Sequence, residues 1–379
     1  MPGVLERRRE ILKLMRSYTL DRGYFTVSDI AGSTGLPRST AQDWINRLLE
    51  EGCLVVREGR RGRSPARYLA KSAMPSSACR RIFTTVDGGS VEIYHECLSA
   101  GSAAYCEFHH RRAGGVISRV SRDGTLLREL ASLGERDAAI GLFPDPAVGV
   151  TGLRREGENL VQNIRCVGGP AYSLTEMMAH AEGVHDVRVE RTGGFVEGEV
   201  TTRAMRYLAI GIDDTDTPEG GATFALSLAL YQHLSTLGGV IPIAHHVVML
   251  NPALPERTAG NSASFIELAA EPALCGQIRE HSIRFVSDEA LSPEWGIAIK
   301  QGFTVTRELR EYGNRVRTGK VTRGEAEGLA RRHGIFTSGG RGIIGAVAAV
   351  SCVGLENPVL LDPKRAIPLN GGEADREKN

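Results

Sequence analysis

Arg206-Tyr207-Leu208-Ala209-Ile210-Gly211-Ile212 runs without a break into Asp213-Asp214-Thr215-Asp216-Thr217-Pro218-Glu219-Gly220-Gly221-Ala222-Thr223. The first seven residues read as a buried strand, and an apolar helix is predicted from about Thr223 to Leu234. Between them lies a turn holding three carboxylates within four residues and a glycine pair. A strand, an acidic turn and glycines opening a helix together suit phosphate chemistry. The glycines let backbone N–H groups approach a phosphate, and the helix N-terminus adds partial positive charge. The carboxylates repel one another, so a divalent cation is their natural partner, and hard oxygen ligands favour Mg²⁺. Asp213, Asp214 and Asp216 are therefore candidate catalytic and metal-binding residues, with Thr215, Gly220 and Gly221 beside the bound group. The Thr223 hydroxyl either caps the helix or meets a phosphoryl group. The plain alternative is a turn with Asp caps beside a strand–helix junction.

Two later blocks follow in the same order: Leu250-Asn251-Pro252-Ala253-Leu254-Pro255-Glu256-Arg257-Thr258-Ala259-Gly260-Asn261-Ser262-Ala263, and the glycine-rich Gly340-Arg341-Gly342-Ile343-Ile344-Gly345-Ala346. With the acidic loop, they resemble the kinase-like catalytic domain of archaeal agmatidine synthase, which uses ATP to attach agmatine to a wobble cytidine of an isoleucine tRNA. The resemblance covers about Arg206–Val353. It implies ATP and Mg²⁺ as cofactors, places Thr223 on the family's autophosphorylated threonine, and brings Asn251, Thr258, Gly260, Asn261, Arg341 and Gly342 around the nucleotide. The family's Cys-Thr-Thr step is Ala222-Thr223-Phe224 here. The chain ends at Asn379 without the synthase's oligonucleotide-binding domain and zinc ribbon, so agmatidine synthesis itself is not expected.

Upstream, Arg81–Val86, Ser90–His95 and Ala103–His109 read as short strands. A helix around Ser173–Ala181 and strands Val184–Arg191 and Val196–Thr202 follow. Thr85-Val86-Asp87 and Ala103-Ala104-Tyr105-Cys106-Glu107-Phe108-His109, taken with Gly220–Thr223, are similar to the methanogenesis marker protein eleven family. His95, His109 and His110 are expected to be solvated or capping residues, not metal ligands.

Residues 1–71 read as a winged helix-turn-helix. Leu5, Ile11, Leu12 and Met15 mark a first helix, Ser28 caps a second, and a third follows Pro37. Trp44, Ile45, Leu48 and Leu49 pack the third helix inward. Arg38, Ser39, Thr40, Gln42 and Arg47 are left outward, where such helices meet nucleic acid. Cys53–Arg57 and Ala66–Leu69 form a hairpin whose tip carries Arg60, Arg61 and Arg63. This head holds 14 Lys and Arg against 8 Asp and Glu, whereas the remainder holds 32 against 37. The near-zero total thus hides a basic end suited to DNA or RNA.

Seven cysteines without a CxxC pair argue against a disulfide framework and fit a reducing cytoplasm. The longest apolar run, about Gly342–Leu355, is too short to span a bilayer. Gly340–Gly345 is formally GxGxxG, but too little chain follows for a dinucleotide-binding sheet. Arg317-Thr318-Gly319-Lys320 reads as a solvated basic loop. His245 and His246, adjacent on a strand, should point to opposite faces, and Trp295 is a packed loop aromatic or a base-stacking one.

The expected architecture is α/β and α+β multidomain. It comprises a winged helix (1–71), an α+β middle domain (81–203), a kinase-like α/β domain (204–367) and a disordered tail (368–379). The expected protein is archaeal and cytoplasmic, with a homodimer among the arrangements its head permits. Its function is that of an ATP- and Mg²⁺-dependent phosphotransferase-like enzyme that modifies nucleic acid or phosphorylates itself. The alternative is a transcriptional regulator whose kinase-like body senses a nucleotide without turnover.

Overall fold

Apolar residues three to four apart build the first helices. The computed structural model describes residues 3–60, 62, 64–73, 79–168, 177–192, 194–255 and 260–369. The chain divides into two units, Met1–Ala78 and Cys79–Asn379. In the first, α1 (Val4–Arg22), α2 (Val27–Thr34) and α3 (Arg38–Glu50) precede an antiparallel pair, β1 (Leu54–Glu58) and β2 (Arg67–Ala70). Ile11, Met15, Phe25, Ile30, Ala41, Ile45 and Leu48 form its core. Leu5 is exposed, contrary to expectation. It stands six residues before Ile11, about 240° away around a helix, and so misses the packed stripe. Trp44 and Leu49 are only half-buried.

The α2 cap is Thr26 rather than Ser28. The Asp29 N–H donates to Thr26 Oγ1 (3.3 Å) and the Thr26 N–H to Asp29 Oδ2 (2.7 Å), a reciprocal capping box. Ser28 is already the second helical residue. Arg38, Ser39, Arg47 and Arg60 are exposed, while Thr40 and Gln42 are half-buried. Arg61, Arg63, most of the expected linker (74–78) and the tail from residue 370 lie outside the described residues.

The second unit is mixed α/β around one large curled sheet, of 13 strands among the described residues. It starts with β3 (Cys79–Asp87), β4 (Ser90–Cys97), α4 (Ala100–Ala113), β5 (Ile117–Asp123) and β6 (Leu126–Ser132). Ala103–His109, expected as a strand, is instead the middle of α4. The Ser99 hydroxyl caps the helix, accepting from the Ser102 N–H (3.1 Å), and Ala103, Cys106, His110 and Ala113 bury one helical stripe. After β7 (Gly134–Glu135), β8 (Val148–Glu156), β9 (Asn159–Val167) and β10 (Val184–Thr192) comes β11 (Phe195–Asp213). The main strand order is β5-β6-β4-β3-β11-β9-β8-β7. Of the helix expected around Ser173–Ala181, Met177 and Met178 are helical, and 173–176 lie outside the described residues.

The boundary expected between 203 and 204 falls inside β11, whose 19 residues form one continuous strand. Its first half pairs with β9 and β10. Its second half pairs with β13 (Ser262–Ala270) and β14 (Gly296–Gln301). The outer strands are β12 (Val240–Met249) on β13 and β15 (Phe336–Gly339) on β14. Leu208, Ile210 and Ile212 face α5 (Thr223–Leu234) and α6 (Cys275–Glu289) in one core. Tyr207 and Ala209 lie in the other, with α7 (Arg307–Thr318), α8 (Arg323–Arg332) and α9 (Ile343–Val350). Strand alternation thus places Asp213 on the α9 side.

Alternation also explains the buried histidines. Ile93, Cys97, Leu127 and Ala131 face α4, so His95 and Glu129 do too. His95, His109 and His110 are 1%, 6% and 2% exposed, not solvated. His110 Nδ1 lies 2.6 Å from Glu129 Oε1, and His95 Nε2 lies 3.7 Å from Glu129 Oε2. Burial opposes charge on His110, but Glu129 outweighs it and holds His110 above its ordinary pKa; burial holds His95 below. On the opposite face, Arg128 pairs with Glu267 (2.7 Å), which also accepts from Tyr207 (2.5 Å) and meets His246 Nε2 (2.7 Å). Arg317 is buried rather than solvated. Its guanidinium donates to the carbonyls of Met249, Val359, Asp362 and Arg365. Among the described residues, no helix is long and apolar enough to cross a membrane.

Candidate active site

Asp213 closes β11, and its carboxyl presses on α9. A Cβ added at Gly345 would lie 1.8 Å from Asp213 Oδ2, and one at Gly211 would lie 2.2 Å from the Ala346 carbonyl. The glycine-rich block therefore serves close helix–strand packing and aims the N-terminus of α9 at the acidic turn. Burial, then Asp214, pushes the Asp213 carboxyl well above the usual carboxylate range. Asp214 adopts a left-handed backbone (φ 55°), a rare conformation outside glycine. Its carboxylate accepts from Arg341 Nε (3.4 Å), yet burial outweighs that contact and raises it as well.

Asp216 turns the other way. Thr223 Oγ1 donates to Asp216 Oδ1 (3.1 Å) and accepts from the Thr215 N–H (3.2 Å) and Thr215 Oγ1 (3.0 Å). Thr223 is buried and does not cap α5; the cap position is Ala222, without a side-chain bond. The Gly220 N–H, expected to face a phosphate, donates to the Thr217 carbonyl (3.2 Å) in a tight turn. Gly221 takes φ 87° where the chain enters the helix. Among the described residues, no three His, Cys, Asp or Glu side chains converge to hold a metal ion. In this arrangement the Asp213 carboxyl packs on α9, that of Asp214 meets Arg341 and that of Asp216 meets Thr223.

The second block borders this turn. Leu250 lies beside Gly345, and the Leu250 N–H donates to the Asn261 carbonyl (2.9 Å). Asn261 is the other non-glycine residue with positive φ (39°) among those described, and its amide donates to the Asn251 carbonyl. The Asn251 amide donates to the Gly319 carbonyl (3.1 Å), while its Oδ1 accepts from the Ala253 N–H (3.0 Å). Both asparagines thus shape the loop in this state. Gly260 is exposed at the start of β13, and Thr258 lies outside the described residues.

Glu294 carries no signal in the sequence alone. Its Oε2 accepts from the Arg341 N–H (2.8 Å) and its carbonyl from the Gly342 N–H (2.7 Å), which fixes the arm that reaches Asp214. Its neighbour Trp295 is half-buried against the α5–α6 core. Phe224, in sequence only a departure from a motif, is 49% exposed and meets His245 edge-on at 5.3 Å. His245 and His246 do point to opposite faces, toward Ser227 and Glu267. A cavity of about 210 Å³ opens between α5 and α6, lined by Thr215, Gly221, Ala222 and Phe285.

Residues 209–336 match the TiaS TCKD domain. The chain is 26% identical over 281 residues to an uncharacterised protein of Methanocaldococcus jannaschii, covering 72% of this chain and 92% of that one. It is 33% identical over 150 residues to the tRNA 2-agmatinylcytidine synthetase TiaS of Pyrococcus horikoshii, covering 38% and 35%. Among solved structures it is similar to a complex of TiaS with tRNA and ATP, at 25% identity and a TM-score of 0.35, covering 39% and 36%. The chain spans about a third of the length of the synthetases it matches. Over the domain that carries the acidic turn, it is agmatidine-synthase-like.

Proposed function

We propose that the second unit is an ATP-utilising enzyme that modifies a nucleic acid, tRNA being the best-supported polymer, and that residues 1–71 are a winged helix that grips it. One observation carries the catalytic part. A single turn collects Asp213, Asp214, Asp216 and Thr223, and Arg341 reaches Asp214 from 127 residues away. The match over 209–336 to a domain of a tRNA 2-agmatinylcytidine synthetase supports ATP and RNA. No relative named above favours DNA or transcriptional control, so the regulator reading is not carried forward.

Mg²⁺ typically uses one or two carboxylates together with substrate phosphates. Asp213 and Asp214 would serve as those carboxylates, and a bound cation would favour the charged form of Asp213 that burial and then Asp214 disfavour. When bound, the cation would neutralise phosphate charge. Arg341 would stabilise phosphoryl charge. The cavity beside Gly221 is smaller than the ~300–1,000 Å³ of a typical ligand pocket, so the nucleotide would lie partly in the open. The Thr223 hydroxyl already points at Asp216. In self-phosphorylation, Thr223 Oγ1 would bond the γ-phosphorus, Asp216 would take the hydroxyl proton, and ADP would leave with the bridging oxygen. Since Thr223 is buried, the turn must open first. On the head, the exposed Arg38, Ser39, Arg47 and Arg60, with Thr40, Gln42, Arg61 and Arg63, would contact the polymer.

Incubation with γ-labelled ATP and Mg²⁺ tests the reading. Wild type is expected to release labelled phosphate or carry label on Thr223; Asp214→Asn should lose both, and Thr223→Ala the protein-bound label. ATP binding by wild type with neither outcome would refute the enzyme.

A further inference from the structure

We infer that the outward face of α4, with the turn at residues 142–145 beside it, binds a single-stranded stretch of nucleic acid. Phe143, Tyr105 and Phe108 stack on its bases, and Arg111 and Arg112 hold its phosphates. The inference rests on the proposed function only for the identity of the polymer.

Helix α4 buries one stripe and bares another. Ala103, Cys106, His110 and Ala113 are buried, whereas Tyr105, Phe108 and Arg112 follow the other side at i, i+3 and i+7. Tyr105 and Phe108 are each 36% exposed, and Arg111 and Arg112 are exposed beside them. Both rings pack on the buried His109, at 4.2 Å and 5.1 Å between centroids. The same histidine anchors the neighbouring turn. His109 Nδ1 accepts from the Ala147 N–H (2.9 Å), and the Ala113 carbonyl accepts from the Ala139 N–H (2.9 Å). Between these anchors the Gly141 N–H donates to the Pro146 carbonyl (3.0 Å) and the Asp145 N–H to the Leu142 carbonyl (3.0 Å). Leu142 is 68% exposed, and Phe143, at 87%, is the most exposed large apolar side chain among the described residues. Four residues of chain carry Phe143 from Ala147, so it lies within about 14 Å of the His109 contact.

Charge decides what this face receives. Glu107 is the only acid of α4, and both Arg111 (2.6 Å) and Arg122 (2.6 Å) already donate to it. Arg112 lies over the Phe108 ring (5.0 Å) and has no acidic partner among the described residues. The acid of the turn, Asp145, folds back on its own backbone, where a Cβ added at Gly141 would lie 2.8 Å from Asp145 Oδ2. Along α4, three guanidinium groups therefore share one carboxylate beside exposed rings. An apolar protein face closing over those rings would strand the Arg112 charge away from water. A phosphate neutralises it, and unpaired bases offer flat faces that stack on such rings whatever their sequence. The reach from Phe143 to the His109 contact corresponds to at most about four nucleotides at the ~3.4 Å rise of a stacked strand.

Photo-crosslinking of the full chain to a short oligouridylate carrying 4-thiouridine tests the surface, with adducts mapped by mass spectrometry. Adducts are expected in the peptides that carry Tyr105 and Phe143. Phe143 is so exposed that Phe143→Ser leaves the core untouched. It should lower the yield about tenfold, within the range of one lost base–aromatic stack, and Phe143→Trp should retain it. Arg112→Gln should weaken binding most at low salt. Adducts confined to residues 1–78, or an unchanged yield in Phe143→Ser, would overturn the surface. So would a concentration-dependent dimer in sedimentation that Phe143→Ser dissolves, because a second copy would then cover these rings. Asp214→Asn separates the two ideas. It should lose ATP turnover and keep the adduct, whereas wild type that turns over ATP and crosslinks only elsewhere would refute the surface alone.

Discussion

At the scale of single residues, the contact between Asp213 and Gly345 decides how the site is built. Strand alternation sends Asp213 toward α9, and only the missing side chain at 345 makes room for its carboxyl. Gly345→Ala should therefore cost about 1–3 kcal/mol by overpacking, seen as a lower midpoint in urea unfolding, and should reduce ATP use. Asp213→Ala added to Gly345→Ala removes the clash, so stability should largely return while ATP use stays lost. If Gly345→Ala unfolds like wild type, Asp213 is not held where the structure places it. Arg341 reaches Asp214 from the same glycine-rich block, where Glu294 fixes the backbone on which its side chain is carried. Arg341→Gln should leave unfolding within about 0.5 kcal/mol of wild type, as a half-exposed ion pair contributes little. It should nonetheless slow phosphate release from labelled ATP. Equal turnover would remove Arg341 from the site.

At the scale of elements, α2 offers a clean choice between two candidate caps in the same short segment. Thr26→Ala breaks a reciprocal box and should cost about 1 kcal/mol, read as faster hydrogen exchange at the α2 amides. Ser28→Ala should change exchange little, since Ser28 is inside the helix; the reverse ranking would restore Ser28 as the cap. Elements that carry a strong local period are legible in the sequence: the strand Arg206–Ile212, the helix opening at Thr223, and the hairpin strands after Glu51. Helix α4 is not, because Ala103–His109 alternates small, aromatic and polar residues much as a strand does. The Ser99 cap and the basic residues at its far end are the local signals that favour a helix. The acidic turn is legible as chemistry but not as geometry. Nothing local tells that Asp216 bonds Thr223 while Asp214 meets Arg341, because those partners depend on how the turn folds back. Arg317 looks solvated in sequence for a related reason: its four carbonyl partners come from segments 42 to 68 residues away.

At the scale of the whole molecule, one buried acid ties the early strands to the later sheet. Glu267 on β13 meets Arg128 from β6, Tyr207 from β11 and His246 from β12. Burial alone would raise its pKa, but Arg128 first and then His246 hold it down to about 2, against an ordinary 4.5. A carboxyl depressed in the folded state stabilises fully above its unfolded value, and that contribution disappears as pH falls through the folded one. The loss therefore belongs between about pH 4.5 and about pH 2 and is on the order of a few kcal/mol. Glu92, raised by burial beside the same arginine, acts in the opposite sense. Its folded value lies above 4.5, so its effect falls in a higher pH window and the two can be separated. Glu267→Gln leaves the largely buried Arg128 without its salt-bridge partner and should cost up to about 3 kcal/mol at neutral pH, with a shallower fall in stability below about pH 4.5. Changing Arg128 to Met in that background removes the stranded charge and should recover part of the loss without restoring the steep acid limb. Urea unfolding of the three proteins between neutral pH and the acid limit checks both slopes. If Glu267→Gln kept the wild-type acid limb, the junction between the two halves of the sheet would have to be held by its apolar contacts alone, with Phe83, Tyr94 and Met205 packed against Tyr207 and Phe265.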